Sequence, residues 1–177
     1  MSTGLFANNA DEILPGLWLG NSQGSQDEVF LRTHNIESVF NCTKTLPFHP
    51  SIQNRFRVPI DDNLEEAEIR NLELWSYEAI YKLIREVKKG KGVLVHCAAG
   101  MQRSAAVMAM YLITTQGMTW DQAKRYIKQR RAIAFFPMAN FEKAITGFYS
   151  SFLRDIHPRL ASQGEKDQSG GRHLLGS

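Results

Sequence analysis

The chain has 177 residues, of which 43% are hydrophobic, and this is enough for one domain with a buried core. No apolar run approaches the roughly 18 residues that a membrane span needs, and the N-terminus lacks the pattern of a signal peptide, so we expect no association with a membrane. A net charge of +3 at pH 7 suits an anionic ligand but is too small to indicate nucleic-acid binding.

The first half of the chain is predicted to contain short strands and two helices. Residues 12–20 predict two strands around a Pro-Gly turn. The pattern from Ser25 to Glu28 is that of a capping box and predicts a helix over about 26–34. Apolar residues three or four apart predict a long helix up to residue 89, with Trp75 in the core. The other predicted elements are a loose arm at 1–10, a strand at 36–42, a loop at 43–52 and a strand at 55–60.

The middle of the chain changes from strand to helix within one short segment. Residues 93–95 favour a strand and run directly into His96 and Cys97. A loop of small residues follows, and the apolar residues after it predict a buried helix over 104–116. Cys97 therefore lies at the carboxyl end of a buried strand, with a helix N-terminus just beyond it.

The last part of the chain is predicted to contain two more helices and a tail. A capping box at Thr119 starts one helix, and Arg130-Arg131 ends it, where basic side chains suit the helix dipole. Pro137 is predicted to start the final helix. Residues 158–177 are rich in Ser, Gln, Gly and charge, which predicts a disordered tail.

These elements predict an α/β fold. Helices should flank both sides of a central twisted, mostly parallel sheet, in a single catalytic domain over residues 11–157. Ligands of such folds bind at the carboxyl ends of the strands, which is where Cys97 is placed. The sequence carries no signal for the oligomeric state.

The loop after Cys97 has the features of an anion site. Backbone N–H groups in such a loop converge, and the helix dipole adds positive potential, so we expect the pKa of Cys97 to be lowered. Arg103 lies across the loop, and its planar fork can hold two phosphate oxygens at once. A thiolate in a phosphate-sized cup predicts nucleophilic attack on phosphorus. The phosphate-binding positions, which we call the phosphate loop, are Ala98, Ala99, Gly100, Met101, Gln102 and Arg103.

Residues 96–104 also carry a resemblance. They match the His-Cys-x-x-Gly-x-x-Arg-Ser/Thr signature of the cysteine-dependent protein tyrosine phosphatases, and residues 12–20 resemble the opening of dual-specificity phosphatase domains. The resemblance covers about residues 11–153. It implies a tyrosine phosphatase-like fold and hydrolysis of phosphotyrosine and phosphoserine or phosphothreonine in a phosphorylated protein, with no metal and no cofactor.

The resemblance also assigns roles. The phrase that ends in Asp61-Asp62 matches the family's general acid, and Asp62 aligns with it, with Asp61 as the alternative. Either Asp could instead cap the helix that follows. Ser104 matches the hydroxyl that stabilises the leaving thiolate, and His96 matches the residue that holds the loop and lowers the cysteine pKa.

One position departs from the family. Relatives often carry Asn three positions before the Phe of the last helix and use it to tie that helix to the phosphate loop. Here Met138 stands at that position, three residues before Phe141, and Asn140 is adjacent. The way in which the loop is braced is therefore left open at this point.

The same sequence features leave three alternatives to a protein phosphatase open. On the same fold the substrate could be an RNA 5′-phosphate or a phosphoinositide, or the protein could bind phosphoproteins without turning them over.

The two widely separated cysteines favour a reducing intracellular compartment, cytoplasmic or nuclear. Cys42 ends a predicted neighbouring strand, so it is either a redox partner that captures oxidised Cys97 or a buried inert thiol.

Overall fold

The computed structural model describes residues 7–156, which form an α/β domain. Its strands are β1 (Ala10–Leu14), β2 (Leu17–Gly20), β3 (Ile36–Asn41), β4 (Asn54–Arg57) and β5 (Gly92–His96). Its α-helices are α1 (Glu28–Thr33), α2 (Glu66–Lys88), α3 (Arg103–Gln116), α4 (Trp120–Arg130) and α5 (Glu142–Ser151). A short 3₁₀ turn, Gly24–Gln26, precedes α1, and a π-helical turn, Phe152–Ile156, follows α5.

The strands form one sheet in the order β1-β2-β5-β3-β4. β1 and β2 form an antiparallel hairpin, and all other neighbours in the sheet are parallel. The predicted mostly parallel sheet is therefore confirmed. β5 lies in the centre, and all five of its residues are buried, so the residue that follows it is fixed by neighbours on both sides.

The two faces of the sheet carry different helices because side chains alternate along a strand. On one face, Val39 and Leu94 pack with Leu31 of α1. On the other face, Phe40 and Val95 belong to the larger core to which α2 to α5 contribute. Helices on both sides of the sheet were predicted and are confirmed.

The predicted signals at the end of α3 and the start of α4 are also confirmed. Gly117 ends α3 with φ 65°, in the left-handed region that a glycine adopts without strain. Thr119 Oγ1 accepts from the Gln122 N–H, and the Gln122 side chain accepts from the Thr119 N–H. This reciprocal pair is the capping box that the sequence indicated.

Two helix starts differ from the prediction. Ser25 lies inside the 3₁₀ turn, where its Oγ donates to the Ser22 carbonyl, so Asp27 caps α1 instead by accepting from the Phe30 N–H. Pro137 does not start the last helix, which begins at Glu142. The segment before α5 instead runs alongside the phosphate loop, as described below.

The prediction that Trp75 is a core residue is wrong. Its side chain is 38% exposed, although Leu72 and Ala79 on the same helix are buried. Trp75 lies beside Phe56 of β4, and among the described residues no further strand of the sheet lies beyond β4.

The bounds of several segments also differ from the predicted ones. β3 and β4 are shorter at their carboxyl ends than the predicted strands at 36–42 and 55–60. The expected loose arm does not extend to residue 10, because Asn9 accepts from Asn21 through its carbonyl and side chain, and Ala10 already pairs in β1. Residues 1–6 of that arm and the predicted tail lie outside the described residues.

Candidate active site

Cys97 follows β5 directly and is held from both neighbouring strands. The Cys97 N–H donates to the Gly20 carbonyl of β2 at 3.4 Å, and the Cys42 N–H donates to the carbonyl of His96 at 2.8 Å. The Ser22 N–H also donates to the Ala98 carbonyl at 3.0 Å. Cys97 therefore lies, buried, at the carboxyl end of the central strand, which is the position that the sequence predicted.

Gly100 lets the phosphate loop turn above Cys97. Its φ is 65°, and a β-carbon at this position would lie 2.5 Å from the Gly20 carbonyl oxygen. Backbone packing and conformation therefore both require glycine here. The turn brings the Gly100 N–H within hydrogen-bonding reach of the Cys97 thiolate.

The pKa of Cys97 is lowered, as predicted. Burial alone would raise it, but hydrogen bonds from Ser104, the charge of Arg103 and the Gly100 N–H more than offset that effect. Ser104 Oγ lies 3.1 Å from Cys97 Sγ, and the backbone N–H of Ser104 also favours the thiolate. The structure thus stabilises a buried anion that can attack an electrophile.

Arg103 is the first residue of α3 and faces the loop. Its Nη1 donates to the Ile60 carbonyl at 2.9 Å, which fixes the guanidinium beside the segment that leads to Asp62. Its buried Nε has no hydrogen-bond partner in the described part of the chain. A phosphate oxygen would satisfy that donor, so the residue fits the predicted phosphate-binding role.

His96 is fully buried, and its Nδ1 lies 3.2 Å from the Cys97 carbonyl oxygen. Burial lowers the pKa of His96 to about 4, because the charged imidazolium would lose its hydration. His96 is therefore neutral at pH 7 and adds no positive charge near the thiolate. The lowered pKa of Cys97 comes instead from Ser104, Arg103 and Gly100.

The two candidate acids have different surroundings. Asp62 is exposed, and its Oδ1 accepts from Asn140 Nδ2 at 2.9 Å. Asp61 Oδ2 forms an ion pair with Lys44 Nζ at 2.8 Å, and Lys44 also binds Glu68. The Asp61 carboxylate is therefore held by Lys44, whereas Asp62 is tied through Asn140 to the segment that borders the phosphate loop.

Gln102 supplies the brace that the sequence left open. Its Nε2 donates to the Phe136 carbonyl at 3.1 Å and to the Met138 carbonyl at 2.9 Å, and its Oε1 accepts from the Asn140 N–H at 2.9 Å. Gln102 occupies a variable position of the signature, so the signature itself gave no signal for this role. Relatives often link the last helix to the phosphate loop with an Asn that precedes the helix. In this protein the link is made from the loop, by the side chain of Gln102.

Arg131 is the second residue that sequence reasoning missed. The sequence indicated only a basic residue at the end of a helix, yet the side chain of Arg131 is only 1% exposed. Its Nε donates to the Gly100 carbonyl at 2.8 Å, its Nη2 to the Ala99 carbonyl at 3.3 Å, and its Nη1 pairs with Asp11 Oδ2 at 2.7 Å. By holding these carbonyls on the outer side, Arg131 leaves the N–H side of the loop for a ligand.

Cys42 is buried next to the site. Asn41 of β3 and His96 of β5 are register partners in two parallel strands. Cys42 and Cys97 directly follow these two residues, so they lie side by side at the ends of neighbouring strands. Burial raises the pKa of Cys42, and the neighbouring Cys97 raises it further. Cys42 is therefore a protonated thiol and is unsuited to be the nucleophile.

Within residues 7–156, no group of three His, Cys, Asp or Glu side chains could hold a metal ion. None of the helices in that range is long and apolar enough to cross a membrane.

The fold and the surroundings of Cys97 place the protein in the tyrosine phosphatase-like class of α/β proteins. Within that class, the chain belongs to the dual specificity phosphatase family. Residues 17–151 match the family model described as "Dual specificity phosphatase, catalytic domain". The resemblance stated from the sequence is confirmed.

The curated relatives are longer than this chain. Mouse dual specificity protein phosphatase 2 is 36% identical over 124 residues, which cover 69% of this chain and 37% of that protein. Human dual specificity protein phosphatase 1 is 33% identical over 144 residues, which cover 80% of this chain and 38% of that protein. The chain therefore spans somewhat more than a third of the length of these relatives.

Solved structures share the fold. A mouse putative dual specificity phosphatase complexed with zinc tungstate superposes with a TM-score of 0.73 at 24% identity, over 89% of this chain and 97% of that one. The human tyrosine phosphatase-like serine/threonine/tyrosine-interacting protein superposes with a TM-score of 0.70 at 27% identity, over 81% and 97%.

Proposed function

We propose that this protein is a dual-specificity protein phosphatase. It hydrolyses phosphotyrosine and phosphoserine or phosphothreonine in protein substrates through a cysteinyl-phosphate intermediate. The observation that carries the proposal is the buried Cys97 thiolate, which is stabilised by hydrogen bonds from Ser104, by the charge of Arg103 and by the Gly100 N–H. Family membership supports the same activity.

The reaction has two displacement steps at phosphorus. In the first, Cys97 Sγ forms a bond to phosphorus while the bond to the leaving oxygen breaks, and Asp62 gives that oxygen a proton. In the second, Asp62 takes a proton from water, the water oxygen attacks phosphorus, and the S–P bond breaks. Ser104 then donates a hydrogen bond to the released thiolate. The loop N–H groups and Arg103 hold the three other oxygens throughout.

The shape of the site supports both kinds of substrate. Ala98 and Ala99 are small and exposed, and Asp62 is exposed at the other side of the cleft. The segment between β3 and β4 is short and is folded back by Arg57, whose Nη1 and Nη2 donate to the Thr43 and Leu46 carbonyls. From these features we infer a shallow cleft, which lets the short phosphoserine and phosphothreonine side chains reach Cys97 as well as phosphotyrosine.

The alternative phosphatase substrates find little support. An RNA 5′-triphosphate or a phosphoinositide carries extra phosphates, but the loop side chains between Cys97 and Arg103 are all uncharged. A binding protein without turnover would have no use for a thiolate, an acid and an arginine together. A reducing cytoplasmic or nuclear location, which keeps Cys42 and Cys97 as thiols, is part of the proposal.

The test uses a peptide with one phosphotyrosine and one phosphothreonine. Release from both residues is expected, faster from phosphotyrosine because phenolate is the better leaving group. Phosphotyrosine hydrolysis with no release from phosphothreonine would refute dual specificity and leave the cysteine mechanism in place. A preference for 5′-triphosphorylated RNA over every phosphopeptide would refute the protein phosphatase assignment.

A further inference from the structure

Large apolar side chains are exposed on both segments that border the phosphate loop. Leu64, Phe136 and Met138 are 65%, 63% and 67% exposed. Leu64 lies between β4 and α2, and the other two lie between α4 and α5. We call these three side chains the apolar rim.

The two segments meet beside the catalytic cleft. The hydrogen bond between Asn140 and Asp62 joins them, and Met138 and Leu64 each lie two positions from a bonded residue. Two positions of extended chain span at most about 7 Å. The carbonyls of Phe136 and Met138 accept from Gln102, so both residues also lie directly beside the phosphate loop. Residues next to the phosphorylated one in a bound peptide therefore come within reach of the rim.

The rim is unfavourable for the free protein. Leu64 has a φ of 63°, in the left-handed region where a side chain on the β-carbon is strained. Because the Leu64 side chain is exposed, it gains no free energy from burial that would offset this strain. Glycine or asparagine would fit this backbone better. Backbone strain of this kind is concentrated at ligand sites. The rim thus has the character of a surface that gains its contacts on binding.

Two of the charged groups near the rim are already paired. Glu66 Oε1 lies 2.6 Å from Lys143 Nζ, which links the first turns of α2 and α5. Asp61 is paired with Lys44. A charged substrate residue at the rim would have to lose water, which is costly, whereas an apolar one would lose only unfavourable hydration.

We propose that the apolar rim binds an aliphatic or aromatic side chain that neighbours the phosphorylated residue of a protein substrate. This inference rests on the proposed protein phosphatase function and specifies its substrate class. The rim continues the catalytic cleft, so the occupant and the phosphorylated residue belong to the same bound segment.

The test compares two phosphotyrosine peptides that differ only in the residues on either side of the phosphotyrosine, leucine in one and serine in the other. The wild-type kcat/KM should favour the leucine peptide about tenfold, the scale for a modest apolar group in a pocket. The preference for the leucine peptide should fall to about twofold or less in each of three single variants, Leu64→Asn, Phe136→Ser and Met138→Ser. Each variant is judged by the ratio for the two peptides, so a change in its overall activity cancels. Asparagine tolerates the left-handed backbone at position 64.

Tyr81→Ser is the matched control. Tyr81 is 65% exposed on α2, about 22 Å along the helix from its first residue, and its variant should keep the wild-type preference. Equal hydrolysis of both peptides by the wild type, or a preference that survives all three rim variants, would overturn this inference and leave the phosphatase function standing. Hydrolysis of a small aryl phosphate but of neither peptide would overturn both.

Discussion

Replacing Gln102 by alanine removes the brace between the phosphate loop and the segment before α5. Three hydrogen bonds are lost, to the Phe136 carbonyl, the Met138 carbonyl and the Asn140 N–H. At about 1 kcal/mol net for each bond, the free energy of unfolding should fall by about 3 kcal/mol. For a domain of this size that lowers Tm by about 6–12 °C.

The same change should impair proton transfer selectively. Asn140 is held by Gln102 and in turn binds Asp62, so the variant loosens the proposed acid without touching Cys97. We expect turnover of an alkyl phosphate, whose leaving oxygen needs protonation, to fall about tenfold more than turnover of an aryl phosphate with a good leaving group.

Thermal unfolding and steady-state hydrolysis of the two substrates measure these effects. Gln102→Met keeps much of the side-chain volume and should behave like Gln102→Ala, because the loss lies in the hydrogen bonds. Gln53→Ala, at an exposed position on the far end of the β3–β4 loop, is the control and should leave both readouts unchanged. An unchanged Tm in Gln102→Ala, or equal losses on both substrates, would refute the reasoning.

The other predictions concern the chemistry of the site. Asp62→Asn should reduce turnover of alkyl phosphates by about 10²–10⁴, with a smaller loss on aryl esters; a larger loss in Asp61→Asn would make Asp61 the acid. Arg103→Lys should reduce turnover by about 10² or more, since a point charge cannot replace the fork, and a variant close to wild type would contradict this role. We also propose that after mild peroxide the Cys97 sulfenic acid condenses with the Cys42 thiol, releasing water and leaving a disulfide. Adjacent parallel strands lie about 4.8 Å apart, within disulfide reach. Mass spectrometry without a Cys42–Cys97 crosslink would dispose of that proposal.

The parts of the structure that local sequence patterns encode were predictable. The β5–loop–α3 unit combines a buried strand, a glycine at the turn and an apolar helix within one segment, and each is a local signal. The glycine end of α3 and the capping box of α4 are equally local. The positions of Cys97 and Arg103 followed from this unit alone.

The supports of the loop were not predictable because they join distant segments. Arg131 and Asp11 are 120 residues apart, and nothing near Arg131 distinguishes it from an exposed basic helix end. Gln102 reaches residues 34 to 38 positions away. The same holds for Trp75, whose exposure depends on β4 being the last strand of the sheet.

The central claim is that phosphate passes through Cys97, and trapping that intermediate tests it most directly. The wild-type protein is mixed with a phosphotyrosine peptide, quenched with acid within the first turnover, digested and examined by mass spectrometry. We expect one phosphate on the peptide that contains Cys97, and neither phosphate nor turnover in Cys97→Ser, because a serine hydroxyl is not ionised in this cup. Phosphate release by Cys97→Ser at a rate near that of the wild type, or phosphate trapped on another residue, would contradict the account.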